Sequence, residues 1–202
     1  MNEFDFSTFP TLTTPRLVLR QTVPGDAADL FSYLSDLEVM KYDSPSVPMR
    51  EMAEAVAAIE NSRQRFVSKE SINWSIVFKD ENRVIGSLGF YFLDRVYYKV
   101  DLGYTVARPY WRRGIATEAG RALLQFGFET LHLHRINMDT RIDNIASVRL
   151  MEKLGFRYEG VRRECILNDD GTYQSWALFG MLKTSIVSQS PRCSIFRALN
   201  QR

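Results

Sequence analysis

The fold of this chain is decided by one stretch, Asp101-Leu-Gly-Tyr-Thr-Val-Ala-Arg-Pro-Tyr-Trp-Arg-Arg-Gly-Ile-Ala116, and by the amphipathic segment that continues from it to Leu131. The pattern predicts a strand, a basic turn containing glycine, and a helix. The first N–H groups of a helix have no partner within it, and the helix dipole adds partial positive charge there. We therefore expect the turn to bind phosphate, with Arg112 and Arg113 adding formal charge. It has neither the Gly-Lys-Ser/Thr nor the Gly-x-Gly-x-x-Gly signature of the common nucleotide-binding loops.

The flanking segments predict a mixed sheet. Alternating apolar residues indicate strands at 16–20, 74–78, 84–93 and 97–106. The last three follow one another closely enough to form an antiparallel meander. A further strand at 135–141 follows the predicted helix, and strand–helix–strand units cross over in a right-handed sense. We therefore expect 135–141 to run parallel to 97–106.

Helices and a closing hairpin complete the predicted domain. Helices are expected at 26–35, at 50–67 and from Asn144 to Gly155. Asp26 and Asn144 are residue types that cap helix starts, and Gly155 suits a left-handed end. Strands at 156–167 and 173–182 form the hairpin. The proline-marked loop at 44–48 is a candidate lid or substrate wall.

Composition describes an ordinary globular protein. The 202 residues are 45% apolar and 25% charged, with a net charge of +2, so bulk charge does not indicate nucleic acid as a partner. Cys165, Cys193, His132 and His134 lack metal-ligand spacing, so no metal is expected. The acidic N-terminus and the lack of a long apolar run argue against secretion and membrane insertion, which favours the cytoplasm.

The chain is most simply divided into one domain with two ends. A chain of this length can bury about 70% of its unfolded surface in a single core. We expect a loose lead-in over residues 1–13, the domain over 14–184 and a tail over 185–202.

Six motifs in the domain point to a known family. They are Thr14-Pro-Arg-Leu-Val-Leu-Arg20, Val84-Ile-Gly-Ser-Leu-Gly-Phe90, Asp101-Leu-Gly-Tyr104, Trp111-Arg-Arg-Gly-Ile-Ala-Thr-Glu-Ala119, Asn144-Ile-Ala-Ser147, and Met151-Glu-Lys-Leu-Gly-Phe-Arg-Tyr-Glu-Gly160. Together the motifs resemble the GNAT superfamily of acyl-CoA-dependent N-acetyltransferases, and within it the ribosomal-protein Nα-acetyltransferase (alanine/serine) branch. The resemblance implies a mixed α/β fold: a largely antiparallel sheet of about seven strands, with a splayed central parallel pair and flanking helices.

The resemblance also implies a site for acetyl-CoA as co-substrate. Its pyrophosphate would bind backbone N–H groups of the turn, at Arg112, Arg113, Gly114, Ile115, Ala116 and Thr117. The strand before the turn would offer its edge to the pantetheine arm at Tyr104, Thr105 and Val106. Asn144 would contact the pantetheine amides. Trp111 stands where the superfamily usually has Gln or Arg.

Acetyl transfer to nitrogen requires a neutral amine and an acid for the departing thiolate. A free α-amine has a pKa of about 8, against about 10.4 for lysine, so an N-terminal acceptor needs only a modest base. Asp101 is the first candidate base, with Glu159 and Glu164 as second choices. Met151 stands where many family members have Tyr, and a thioether cannot donate a proton. The resemblance assigns the acid role to Ser147 instead.

These features predict an acetyl-CoA-dependent N-acetyltransferase whose acceptor is the N-terminal α-amine of a ribosomal or other protein. We expect it to act by direct transfer, as a monomer or homodimer. One alternative is an acetyltransferase for a small amine, such as a polyamine, an amino acid or an antibiotic. Another is a non-catalytic acyl-CoA-binding module, suggested by Met151 and by Ser175, where relatives often have Asp.

Overall fold

The computed structural model of the protein describes residues 6–43, 47–168 and 171–186. The strands are β1 (Leu12–Thr13), β2 (Leu17–Arg20), β3 (Ile72–Phe78), β4 (Arg83–Asp94), β5 (Lys99–Val106), β6 (Arg135–Arg141), β7 (Arg157–Leu167) and β8 (Tyr173–Leu182). The helices are α1 (Ala27–Leu34), α2 (Leu37–Met40), α3 (Met52–Val67), α4 (Ile115–Gln125) and α5 (Ile145–Leu154). A π-helical turn, Phe126–Thr130, extends α4.

Within these residues the strands form one mixed sheet of eight in the order β1-β2-β3-β4-β5-β6-β8-β7. All neighbours are antiparallel except β5 and β6, as predicted. The predicted fold class is confirmed. The extra strand β1 was not predicted, because two residues carry too little periodicity to identify a strand.

The parallel pair at the centre of the sheet is short. β5 and β6 pair only at Lys99–Arg135, Val100–Ile136 and Asp101–Asn137. Beyond these positions β5 continues along β4 to Val106, whereas β6 continues along β8 to Arg141. Each strand is therefore held by its other neighbour, and a gap opens between them. The splayed pair is confirmed.

Helices cover both faces of the sheet. On one face, α4 and its π-helical extension pack against β4 and β5, and a Cβ at Gly127 would lie 2.9 Å from the Phe90 ring. On the opposite face, α1 packs on β4, where Tyr33 lies beside Ser87. Successive strand residues point to opposite faces, so the two sides of the gap carry different side chains.

The predicted helix and hairpin boundaries hold to within two residues for α3, α5, β7 and β8. Gly155 ends α5 with a φ of 102°, in the left-handed region that favours glycine. Asp26 differs from the prediction, since its side chain makes no capping bond to α1. Its carboxylate instead accepts two hydrogen bonds from Arg20, at 2.7 and 2.8 Å, and one from the Val23 N–H at 2.8 Å.

The prediction of a loose lead-in is wrong for residues 6–13. The Phe9 ring lies 4.8 Å from that of Phe66 and 5.6 Å from that of Trp74. The Trp74 indole also donates to the Pro10 carbonyl at 2.6 Å. The division at residues 13 and 184 stays a prediction.

Two predicted segments lie partly outside the described residues. They are the tail, of which 187–202 are not described, and the loop at 44–48, of which 44–46 are not described. In the ranges that are described, no helix combines the length and apolar character needed to cross a membrane.

Candidate active site

The turn between β5 and α4 presents a run of unpaired backbone N–H groups. Across the described ranges, the N–H groups of residues 112–117 donate to no protein acceptor, whereas those of Trp111 and Glu118 bond the carbonyls of Arg108 and Gly114. Arg112 and Gly114 have φ angles of 60° and 77°. Left-handed residues within such a turn gather successive N–H groups into a concave anion site, and the start of α4 adds its dipole. These donors fit the pyrophosphate of acetyl-CoA.

Trp111 fastens the end of β5 to this turn. Its indole Nε1 donates to the Val106 carbonyl at 2.6 Å. The next two side chains, Arg112 and Arg113, are exposed, and the Arg113 guanidinium lies 5.4 Å from the centre of the Tyr110 ring. Trp111 thus stabilises the turn, and Arg112 and Arg113 supply positive charge around it.

The open edge of β5 is provided by Tyr104 and Val106. Ala107 donates its N–H to Ile85 of β4 at 2.8 Å, and the Thr105 carbonyl points at Gly86 of β4. Because the N–H and C=O groups of successive strand residues point to opposite neighbours, those of Tyr104 and Val106 point into the gap. The Val106 carbonyl is taken by Trp111. The Thr105 backbone therefore faces β4, and Tyr104 is better placed to offer its backbone to pantetheine.

A narrow apolar cavity lies beside the gap, between the sheet, α4 and α5. Its walls include Leu102, Met138, Gly120 and Leu154, and the Tyr104 side chain lines it too. Gly120 brings the helices close, since a Cβ there would lie 2.9 Å from a methyl of Leu154. The cavity therefore lies on the side of the gap that faces α4 and α5.

Tyr104 and Ser147 form a hydroxyl pair at this cavity. Ser147 lies in the first turn of α5, is 4% exposed, and its hydroxyl lies beside the Tyr104 side chain. Burial raises the pKa of Tyr104, and the neighbouring Ser147 hydroxyl offsets part of that rise. Met151, one turn further along α5, is fully buried and carries no proton to give. Sequence reasoning considered only the backbone of Tyr104 and missed its hydroxyl.

Asn144 positions Ser147. Its Oδ1 accepts a hydrogen bond from the Ser147 N–H at 3.2 Å, so Asn144 is the N-cap of α5. The Asn144 amide nitrogen bonds no group among the described residues, which leaves it available to a ligand. The capping and ligand-binding interpretations of Asn144 are compatible, because they use different atoms.

On the other face of the sheet, Asp101 lies where the two central strands part. Its Oδ1 accepts a hydrogen bond from the Asn137 amide at 2.8 Å. Asn137 accepts in turn from the Arg135 guanidinium, which also forms an ion pair with Glu159. Both predicted bases thus belong to one network. Glu159 is paired with a cation, whereas the hydrogen-bond partner of the Asp101 side chain within the described ranges is a neutral amide.

Asp139 is a second carboxylate on this face and was not predicted. It lies two residues beyond Asn137 on β6 and forms a 3.8 Å ion pair with Arg162. Burial, and then the charge of Asp101, raise the pKa of Asp139, while Arg162 opposes the shift. The alternation of Asn137 and Asp139 with apolar residues in β6 was the available signal.

The remaining candidates are less closely placed. Glu164 and Ser175 interact with each other, the Glu164 N–H donating to Ser175 Oγ at 3.0 Å. On β8, Ser175 is five residues from Gly180, which is level with Asn137, so it lies roughly 17 Å along the strand. His132 and His134 are exposed, and the described residues contain no cluster of metal-ligating side chains.

The unpaired N–H groups of the turn and the gap between β5 and β6 fit an enzyme that uses a phosphate-bearing acyl donor. Residues 16–157 match the acetyltransferase (GNAT) domain. An N-acetyltransferase of Bacillus subtilis, YoaA, is 34% identical over 167 residues, which cover 83% of this chain and 94% of that protein. The ribosomal protein uS5-alanine N-acetyltransferase of Escherichia coli is 27% identical, covering 78% of this chain and 84% of its own. The microcin C7 self-immunity acetyltransferase MccE, solved with acetyl-CoA and AMP, shares the fold with a TM-score of 0.77 and 19% identity, covering 84% of this chain and 93% of that one.

The chain belongs to the GNAT acetyltransferase family. It is an acetyl-CoA-dependent N-acetyltransferase. The alternative of a non-catalytic acyl-CoA-binding module is set aside, because the matched relatives are named as N-acetyltransferases.

We expect Gly114→Val to raise the dissociation constant for acetyl-CoA at least tenfold. A β-branched residue at a φ of 77° costs about 1 to 2 kcal/mol and would reshape the turn, although the space at Gly114 is open. Isothermal titration with acetyl-CoA measures the effect. Gly25→Val is the matched control, because Gly25 has open space and no left-handed φ. Equal affinities for both variants would contradict the assignment of the turn.

Proposed function

We propose that this protein acetylates the N-terminal α-amine of a protein, with Asp101 as the base and Ser147, paired with Tyr104, as the proton donor. The observation that carries the proposal is the charge pattern at the parting strands. Arg162 and Arg135 form ion pairs with Asp139 and Glu159, whereas Asp101 has no cation partner among the described residues. A site in which one carboxylate lacks a cation partner suits an acceptor that carries one positively charged amine.

A polyamine acceptor would present several positive charges to the site. Such ligands need several carboxylates without cation partners, since each ammonium must be compensated once it leaves water. The ion pairs of Arg135 and Arg162 on this face therefore disfavour a polyamine acceptor. The 27% identity to a ribosomal-protein alanine acetyltransferase supports a protein N-terminus, and we place the reaction in the cytoplasm, where ribosomal proteins are made.

Asp101 on one side of the gap and the Ser147–Tyr104 pair on the other each carry out one proton transfer. Acetyl-CoA supplies the acetyl group as a thioester. As the amine nitrogen bonds the carbonyl carbon, Asp101 takes the amine proton and passes it to solvent. The C–S bond breaks with its electron pair on sulfur, and the Ser147–Tyr104 pair gives the sulfur a proton that solvent replaces.

Thiol release with a panel of acceptors tests the proposed acceptor class. The panel contains peptides beginning with Ala or Ser, the same peptides with blocked N-termini, spermidine, free amino acids and an aminoglycoside. We expect release with the free peptides at least tenfold faster than with the other amines, and mass spectrometry should locate the acetyl group on the α-amine. Faster release with a small amine would favour that alternative, and no release with any amine would end the proposal.

Asp101→Asn should lower kcat/KM for the peptide by about 10² to 10³ at pH 7. The loss should shrink as the pH rises above about 8, because the α-amine is then already neutral. A pH profile of both enzymes from 6.5 to 9.5 measures this. Glu159→Gln is the comparison, since both changes remove one carboxylate charge from the same network. A larger loss for Glu159→Gln would transfer the role of base to that residue.

Ser147→Ala should lower kcat about 10- to 100-fold with little change in acetyl-CoA affinity. Tyr104→Phe should lower kcat less. If Tyr104 acts through Ser147, the double variant should be no slower than Ser147→Ala, because residues that act as a unit are not additive.

The control for this pair is Met151→Leu, a volume-conserving change at a buried site on the same helix. It should leave kcat within about threefold of the wild type. Fully additive losses for Ser147 and Tyr104 would show that the two hydroxyls act separately.

A further inference from the structure

Arg16 reaches the phosphate-binding turn from the other end of the domain. Its Nη1 donates to the Arg113 carbonyl at 3.0 Å, across a sequence separation of 97 residues. Its Nε donates to Glu118 Oε2 at 2.7 Å. Its Nη2 lies 3.6 Å from the place where a Cβ on Gly114 would stand. The guanidinium therefore lies directly behind the turn.

The bond to the Arg113 carbonyl controls the direction of an anion-binding donor. That carbonyl belongs to the same planar peptide as the N–H of Gly114, and the two groups of a trans peptide point in opposite directions. Holding the carbonyl toward Arg16 therefore aims the Gly114 N–H into the turn. Without this bond, the peptide that joins Arg113 to the left-handed Gly114 would be free to rotate.

The ion pair between Arg16 and Glu118 compensates a negative charge beside the turn. Glu118 lies in the first turn of α4, and its side chain is only 17% exposed. Burial acts to raise its pKa, but hydrogen bonds from the Thr14 hydroxyl, the Arg16 N–H and the Arg16 side chain lower it overall. Glu118 is therefore a carboxylate anion next to the turn, where it would repel a pyrophosphate. The Arg16 guanidinium neutralises it.

We infer that Arg16 is a positioning residue of the acetyl-CoA site, which aims the Gly114 N–H at the pyrophosphate and cancels the repulsion from Glu118. The inference rests on acetyl-CoA being the co-substrate. It also explains why the Thr14-Pro-Arg-Leu-Val-Leu-Arg20 motif accompanies a turn that begins about a hundred residues later. Thr14 and Arg16 of that motif together hold Glu118.

The test is a double-mutant cycle read out by titration with acetyl-CoA. Arg16→Met should raise the dissociation constant about 10- to 30-fold, because it removes a charged hydrogen bond and leaves Glu118 uncompensated. Glu118→Gln should raise it no more than about threefold. Adding Glu118→Gln to Arg16→Met should recover about half of the loss on a logarithmic scale, since the repelling charge is then gone.

Two measurements separate this role from a general loss of structure. Arg20→Met is the matched control, because Arg20 lies in the same motif and pairs at 2.7 Å with Asp26, which also accepts a backbone N–H. It should lower the free energy of unfolding in urea yet leave acetyl-CoA affinity unchanged. Turnover of S-acetylpantetheine, which lacks the pyrophosphate, should have the same KM in Arg16→Met and wild type.

Unchanged acetyl-CoA affinity in Arg16→Met, or a dissociation constant that rises further when Glu118→Gln is added, would overturn the inference. If Arg16→Met does not fold, Arg16→Lys replaces it. Lysine keeps the charge without the planar fork, so its dissociation constant should rise about three- to tenfold, and wild-type affinity would be contrary to the inference. Failure of the wild type itself to bind acetyl-CoA would instead contradict the cofactor assignment.

Discussion

The structure depends on the early parting of two parallel strands. β5 and β6 share three residue pairs, ending at Asp101 and Asn137, after which each follows its antiparallel neighbour. Unsatisfied main-chain groups in a sheet interior are costly, so an opening of this kind persists only where a ligand or side chains can meet them. The Trp111 indole meets one such group, the Val106 carbonyl. The others, such as those of Tyr104, point into the gap.

The gap also separates two chemical environments. One face carries the apolar cavity with the Tyr104–Ser147 pair, and the other carries the network that ends at Asp101. Because β5 side chains alternate between these faces, the Asp101 carboxylate and the Tyr104 hydroxyl, three residues apart, lie on opposite sides of the same opening. The direct transfer proposed above would use both groups, since one proton leaves the amine and another reaches the sulfur.

Much of the fold could be predicted from the sequence, because its elements are short-range patterns. The turn at 111–117, the cap at Asn144, the left-handed Gly155 and the parallel crossover follow from local residue types and a general handedness rule. The prediction of the Asp26 cap was wrong because Arg20, a residue outside the helix, competes for the same carboxylate. The prediction of a loose lead-in was wrong because aromatic contacts with Phe66 and Trp74 have no trace in local periodicity.

The sequence by itself therefore determined the order of the elements, the phosphate-binding turn and a short set of candidate residues. Only the tertiary structure decided which of them meet: Tyr104 with Ser147, Asn137 with Asp101, and Arg16 with Glu118 and the Arg113 carbonyl. The physical reason is that a local pattern specifies which face of an element is buried, whereas a side-chain pair depends on register and crossing between distant elements. The tertiary structure also decides which carboxylates are paired with a cation. Glu159 and Asp101 are both carboxylates in the sequence, and only folding brings a guanidinium to one of them and a neutral amide to the other.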